Sequence, residues 1–220
     1  MKVWVVIPAY NEAATLSGIL YQLKEKELSV LVIDDGSIDH TYSLAKSKAD
    51  LVIKNDRNLG KGMSLNAGIS YLIKTENFDY VLTMDADGQH SCEDIDNFLG
   101  EAKRGECFVI GNRMINPSGM PKIRMFINRF MSFIISKIAG QKIPDTQCGF
   151  RLIKREVLEK MIIKTNKFEI ETELIIKAAR LGFFIKSIPI KSIYFKGFHS
   201  RISPFIDTVR FWRFIIRSRH

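Results

Sequence analysis

Cysteine is scarce in this chain: Cys92, Cys107 and Cys148 are the only three in 220 residues, and no CxxC spacing occurs. An odd, scattered set excludes a disulfide framework and offers no zinc-ligand pattern. Reduced thiols in a cytosolic protein are the plain reading. Long apolar runs are also lacking, and none approaches the roughly 18 charge-free residues that mark a bilayer-spanning helix. Met1-Lys2 leads into a short apolar stretch that stops at Pro8. No cleavage-type segment follows, so a secretory signal is not expected. Neither the GxxxxGK[ST] phosphate loop nor a GxGxxG fingerprint after the first apolar run is present. No internal repeat, low-complexity tract or linker divides the sequence. One domain over residues 1–220 is therefore expected.

What is there is a folded, unevenly charged chain. Hydrophobic residues make up 46% and charged residues 26%, a globular balance. The net charge is +9. Residues 111–220 hold 22 Lys and Arg against 7 Asp and Glu, a balance of +15; the remaining 11 against 17 leave the first half at −6. A basic half implies an anionic partner, and an acidic half is able to hold a cation.

The first half alternates strand and helix patterns. Val3–Ile7 is a continuous apolar run of the kind a doubly buried parallel strand needs. Leu16, Ile19, Leu20 and Leu23 follow at helical spacing. Val30–Ile33 is a second strand, and Thr41, Leu44 and Ala45 mark a short helix. Leu51–Ile53 is a third strand, Lys61–Ile73 a helix, Tyr80–Met84 a fourth strand and Cys107–Ile110 a fifth. This order predicts an α/β fold: a mostly parallel sheet with helices on both faces. Ligands then sit beyond the carboxyl ends of the strands. Those ends carry Pro8-Ala9-Tyr10-Asn11-Glu12, Asp34-Asp35-Gly36-Ser37 and Asp85-Ala86-Asp87-Gly88-Gln89.

In the second half, amphipathic helices are expected. Residues 121–139 are dense in Phe, Ile and Met, with Arg124, Asn128, Ser132 and Ser136 four apart on one narrow stripe. That segment is read either as core, burying three sides, or as a helix lying in a membrane headgroup layer. A helix over Phe168–Leu181, a strand over Phe183–Ile190 and a last helix over Pro204–Arg217 follow. The last one sets Arg210, Arg213 and Arg217 against Phe205, Val209, Trp212 and Ile216, which favours a membrane surface over a homodimer contact.

Asp85-x-Asp87 is the central chemical signal. Two carboxylates just past a buried strand suit a hard divalent cation, Mg²⁺ or Mn²⁺, that also bridges a diphosphate. Gln89 adds a neutral oxygen ligand. The competing reading is a capped Asp-Gly turn. Asp34-Asp35-Gly36-Ser37 is read either as a base or ribose contact or as helix capping by Ser37 and Asp39. Lys61 opens a helix after Asn58-Leu59-Gly60 and is placed to meet a phosphate; an ordinary turn is the alternative.

Together the segments VVIPAYNE (5–12), VIDDGSIDHT (32–41), NLGKGMSLNAGI (58–69), MDADGQH (84–90), GNR (111–113), DTQCGFR (145–151) and FEIETEL (168–174) resemble family 2 glycosyltransferases of GT-A fold. The chain is most similar to the polyprenyl-phosphate sugar synthase branch, and its tail over 193–211 shares that likeness. The resemblance implies a nucleotide-sugar donor, GDP- or UDP-linked, and a polyprenyl-phosphate acceptor. It implies a donor-binding half over 1–111 and an acceptor-binding half over 112–220. Pro8, Tyr10, Glu12 and Asp35 match positions around base and ribose. Asp85, Ala86, Asp87 and Gln89 match the metal and diphosphate site. Arg113 and Arg124 match arginines facing an acceptor phosphate, and Arg201 one near the donor phosphates. Phe195 stands where this branch carries an arginine. The branch's transmembrane helices after the catalytic domain are not seen, so a peripheral place on the inner membrane face, with a homodimer or a separate anchor protein, is implied.

Direct displacement with inversion is the expected mechanism. A phosphate acceptor, with a second pKa near 6, needs no strong base. A sugar-hydroxyl acceptor, the alternative, would need one, with Asp145 first and Glu171 second. A nucleotidyltransferase would want a GxGxR loop after the first strand, and Pro8–Glu12 stands there instead. A nucleic-acid-binding module is disfavoured because no reading element is present and the acidic loops repel a phosphate backbone.

Overall fold

A computed structural model describes residues 1–161 and 170–193. The chain runs β1 (Val3–Ala9), α1 (Ala13–Glu25), β2 (Ser29–Asp34), α2 (Thr41–Lys48), β3 (Leu51–Lys54), α3 (Lys61–Thr75) and β4 (Tyr80–Thr83). After a single 3₁₀ turn come α4 (Ile95–Lys103), β5 (Phe108–Asn112), α5 (Lys122–Ala139), β6 (Arg151–Lys154), α6 (Arg155–Glu159), α7 (Ile170–Arg180) and β7 (Ile185–Pro189). Among the described residues the strands form one sheet in the order β3-β2-β1-β4-β6-β5-β7.

The continuous apolar runs become the central strands for a simple reason: both of their faces are covered. Val5, Val6 and Ile7 of β1 are fully buried, and so are Leu31, Val32 and Ile33 of β2. Leu16, Ile19, Leu20 and Leu23 form the buried stripe of α1, as their spacing predicts. On α3, Gly68 lets the helix lie directly on β2: a Cβ there would stand 2.7 Å from Ile33 Cδ1. Alternation along the strand turns Val30 and Val32 to the other face. Strands β1 to β4 pair in parallel, which leaves their carboxyl ends on one edge.

Between β4 and β5 lies β6, antiparallel to both. The sequence pattern did not anticipate β6, α4 or α6. Arg151 explains why so short a strand holds its place. Its guanidinium is buried and donates to the carbonyls of Cys148 (2.7 Å), Thr146 (2.9 Å) and Glu171 (2.5 Å). One side chain thus ties loop 146–148 to the start of α7.

Helix α5 reverses one expectation. Its polar stripe faces inward: Ser132 Oγ accepts from the Thr146 amide at 2.9 Å, and Ser136 Oγ accepts from the Ile143 amide at 3.0 Å. Asn128 is buried beside them. The stripe serves loop 141–146, whose backbone needs partners. The apolar side is consequently left outside: Ile123, Phe126, Phe130 and Phe133 are 71%, 70%, 49% and 61% exposed. The core reading of this segment, with three buried sides, is therefore wrong. Among the described residues no helix is long and apolar enough to cross a membrane. Phe168 and Glu169, Phe195, Arg201 and the expected helix over Pro204–Arg217 lie outside the described residues.

Arg151→Met should lower the unfolding free energy by about 3 kcal/mol, because buried carbonyls left without donors cost about 1–3 kcal/mol each. The urea midpoint reads this directly, and an unchanged midpoint would mean those carbonyls find other donors.

Candidate functional site

Three strand ends and the loops behind them are stitched into one edge. After β1, Asn11 adopts a left-handed backbone (φ 53°). Its amide donates to Ser37 Oγ at 2.9 Å, and its Oδ1 accepts from the Ile38 amide at 2.9 Å. The Glu12 amide donates to Thr41 Oγ1, and the Ala13 amide to Asp39 Oδ2. Ser37 and Asp39 thus brace the first loop; the cap position of α2 is His40, without a side-chain cap, so neither residue is the helix cap of the alternative reading, although Asp39 Oδ1 accepts from the Thr41 amide at 2.9 Å. Thr15 Oγ1 donates to the carbonyl of Ala86 at 2.6 Å, fastening α1 to the loop after β4.

Asp35 organises the third loop. Its Oδ1 accepts from Asn55 Nδ2 (2.8 Å) and the Leu59 amide (2.9 Å), and its Oδ2 from the Gly60 amide (2.8 Å). Gly60 itself takes φ 97°, which favours glycine. Pro8 pairs with Ile33 at the end of β1, while Tyr10 and Glu12 stand half-buried just beyond. The positions expected around a base and ribose therefore lie together on this edge.

The acidic pair sits past the end of β4. Asp85 is flanked by two donors: Lys61 Nζ lies 2.6 Å from its Oδ1, and His90 Nε2 lies 3.4 Å from its Oδ2. Burial works to raise the Asp85 pKa, but the Lys61 charge and the His90 hydrogen bond override it and hold the group well below the carboxylate range. Asp87 behaves in the opposite way. Burial and the neighbouring charge of Asp85 push its pKa up, against the Gln89 amide that donates to Oδ1 at 2.9 Å. Lys61 also reaches Glu171 Oε1 at 2.5 Å, from the first turn of α7. Burial works to lower the Lys61 pKa, but Asp85 and Glu171 raise it above its ordinary value.

A divalent cation fits these residues. A cationic nitrogen already stands against Asp85, and the space around it exists because residue 149 is glycine. A Cβ there would lie 2.8 Å from Lys61 Nζ and 2.9 Å from Asp85 Oδ2. Gln89 is buried with its Nε2 unpartnered. Among the described residues no group of three His, Cys, Asp or Glu side chains forms a metal cage. Two carboxylates and an amide instead suit a hard cation that takes the rest of its shell from phosphate and water.

In the second half, Arg113 follows β5 and forks onto Asp145. Nε lies 2.8 Å from Oδ2 and Nη2 lies 2.9 Å from Oδ1, with the Arg113 amide adding a third bond at 3.1 Å. Both side chains are almost fully buried. Arg124 is half-buried in the first turn of α5. His90 and Gly149 carry no local signal of a role, since what they do is visible only against Asp85. Glu171, the second candidate base in the sequence, is the Lys61 counter-charge.

Residues 4–162 match the family described as Glycosyl transferase family 2. The chain belongs to that family. Among its relatives, a UDP-N-acetylglucosamine–dolichyl-phosphate N-acetylglucosaminyltransferase of Methanococcus voltae is 27% identical, over 87% of this chain and 86% of that protein. A polyprenol monophosphomannose synthase of Mycolicibacterium smegmatis is 28% identical, over 84% and 75%. The fold is shared with glucosyl-3-phosphoglycerate synthase from Mycobacterium tuberculosis, solved with Mn²⁺ and UDP (TM-score 0.72, 19% identity, 98% of this chain and 77% of that one). The sheet is thus the GT-A type that the motifs imply, and glycosyl transfer is the family's chemistry.

The Arg113–Asp145 pair sets a pH dependence. Burial works to raise the Asp145 pKa, but the Arg113 charge and hydrogen bonds hold it below the ordinary value. Its contribution to stability is then complete above about pH 4 and is lost as pH falls through the depressed folded value. Asp145→Asn should flatten that acid arm and, by stranding a buried guanidinium, cost about 3–5 kcal/mol at neutral pH. Urea midpoints from pH 3 to 7 test both; an equally steep acid arm in the variant would assign the titration elsewhere.

Proposed function

We propose that this glycosyltransferase moves a sugar from a nucleotide-sugar to a polyprenyl phosphate, using Mg²⁺ or Mn²⁺ held by Asp85 and Asp87 with Gln89 beside them. The observation that carries the reading is the convergence of three strand-end loops on a partly buried carboxylate that already faces a cation. The Mn²⁺ and UDP of the mycobacterial structure and the lipid-phosphate acceptors named for the two relatives support it.

The bound cation would supply charge stabilisation to the departing diphosphate. The chain's own residues do the rest. Pro8, Tyr10, Glu12 and Asp35 line the donor edge, and Asp35 fixes the loop that presents Lys61. Arg113 and Arg124 orient the acceptor phosphate, and Asp145 holds the Arg113 guanidinium in one plane. A phosphate oxygen attacks the anomeric carbon as the bond to the nucleoside diphosphate breaks, inverting that carbon. Both carboxylates considered as a base for a hydroxyl acceptor are ion-paired, Asp145 to Arg113 and Glu171 to Lys61. An anionic phosphate acceptor needs neither.

The outward face of α5 gives the enzyme a way to reach such an acceptor. Three exposed basic residues, Lys122, Arg129 and Lys137, and no acidic one accompany its exposed Phe and Ile side chains. That chemistry suits the headgroup layer of an anionic membrane.

Two experiments test these readings. In a panel of GDP-, UDP- and dTDP-sugars with and without Mn²⁺, one donor at 100 times its Kd should stabilise the fold by about 2.7 kcal/mol. That donor should then be consumed with a short polyprenyl phosphate but not with the free polyprenol, and Asp85→Asn should lose about a thousandfold in rate. Equal transfer to phosphate and alcohol would reject the acceptor. In flotation with anionic liposomes at low salt, Phe126→Ser/Phe130→Ser should stay at the bottom of the gradient where the parent protein floats, with its thermal transition retained. Flotation of both would remove α5 from the docking surface.

A further inference from the structure

Asp85 has two neighbours of different character, and the difference between them is informative. His90 is buried, its ring packs 4.9 Å from the Phe150 ring, and its Nε2 faces Asp85 Oδ2. It has no room to follow a moving ligand. Lys61 ends in a four-carbon stem and already has a second partner, Glu171, brought from 110 residues away. The pocket that holds this ammonium is open only because residue 149 has no side chain.

We propose that Lys61 is a positioning residue that serves as a built-in counter-cation: in the metal-free enzyme its ammonium holds Asp85 ready, and on metal entry it yields Asp85, stays tethered by Glu171 and turns to the donor diphosphate. This rests on the metal reading above. Charge balance supports it. Asp85, Asp87 and Glu171 against Lys61 and the buried Arg151 beside Glu171 leave one negative charge in surplus, so a divalent cation turns the site positive and readies it for a diphosphate. The diphosphate then brings new negative charge to the place where Lys61 is released. A lysine that merely binds phosphate would have no need of Glu171.

The sign of a metal-binding change separates the two roles. Mn²⁺ binding to the full chain is followed by the loss of the free-ion EPR signal, alone and with UDP or GDP. Lys61→Met should bind Mn²⁺ alone at least about tenfold more tightly than the parent, because a positive charge beside the ligand is gone. It should also lose most of the tightening that the nucleoside diphosphate gives the parent. Glu171→Gln should move the other way and weaken Mn²⁺ binding, since Lys61 then rests on Asp85 alone. Lys61→Gln repeats the first measurement if the methionine variant does not fold. Unchanged or weaker Mn²⁺ binding in the Lys61 variants, with nucleotide-dependent binding intact in the parent, overturns the counter-cation role and leaves the metal site standing. No Mn²⁺ binding by the parent under any of these conditions overturns both.

Discussion

An ionised carboxylate buried at a strand end is costly unless an opposite charge reaches it, and the penalty runs to several kcal/mol. Asp85, with its side chain 27% exposed, bears part of that cost, and much of the architecture around it meets the demand. Lys61 must come from α3, so the loop before α3 must be rigid, and Asp35 makes it so with three accepted hydrogen bonds. Glu171 must come from α7, so the start of α7 must be fixed, and Arg151 fixes it through the Glu171 carbonyl. Gly149 must be bare, and it sits in the turn that Arg151 grips from the other side at Cys148.

The same demand links the first and second halves of the chain. Arg151 binds the carbonyl of Thr146, next to Asp145, and Asp145 holds Arg113. Thr146 is in turn held by Ser132 of α5. The helix with the outward apolar face is therefore bonded to the segment that carries the partner of Arg113.

What was legible in the sequence follows from where the information is local. Continuous apolar runs such as Val3–Ile7 and Val30–Ile33 name buried parallel strands without help from elsewhere, and helical spacing over 16–23 names α1. The clustering of the three motif loops follows from the parallel order. Helix α4 was missed because it begins directly behind the acidic turn and carries Asp96, Asn97 and Gly100 among its apolar residues. Strand β6 was missed because Arg151 heads it and no local rule places an arginine in a core. In α5 the period is legible but the inward side is not: spacing fixes which residues share a side, and only the hydrogen-bonding needs of loop 141–146 decide which side turns inward. Partnerships across 110 residues, such as Lys61 with Glu171, leave no trace in either segment alone.

The antiparallel β6, wedged between β4 and β5, has a mechanical consequence. Residues 80–83 and 151–154, from the first and second halves of the chain, are ladder neighbours, bonded strand to strand. The two halves share a spine rather than a hinge, and they cannot swing apart without tearing the sheet. The distance between the loops that each half contributes is therefore set once, at folding.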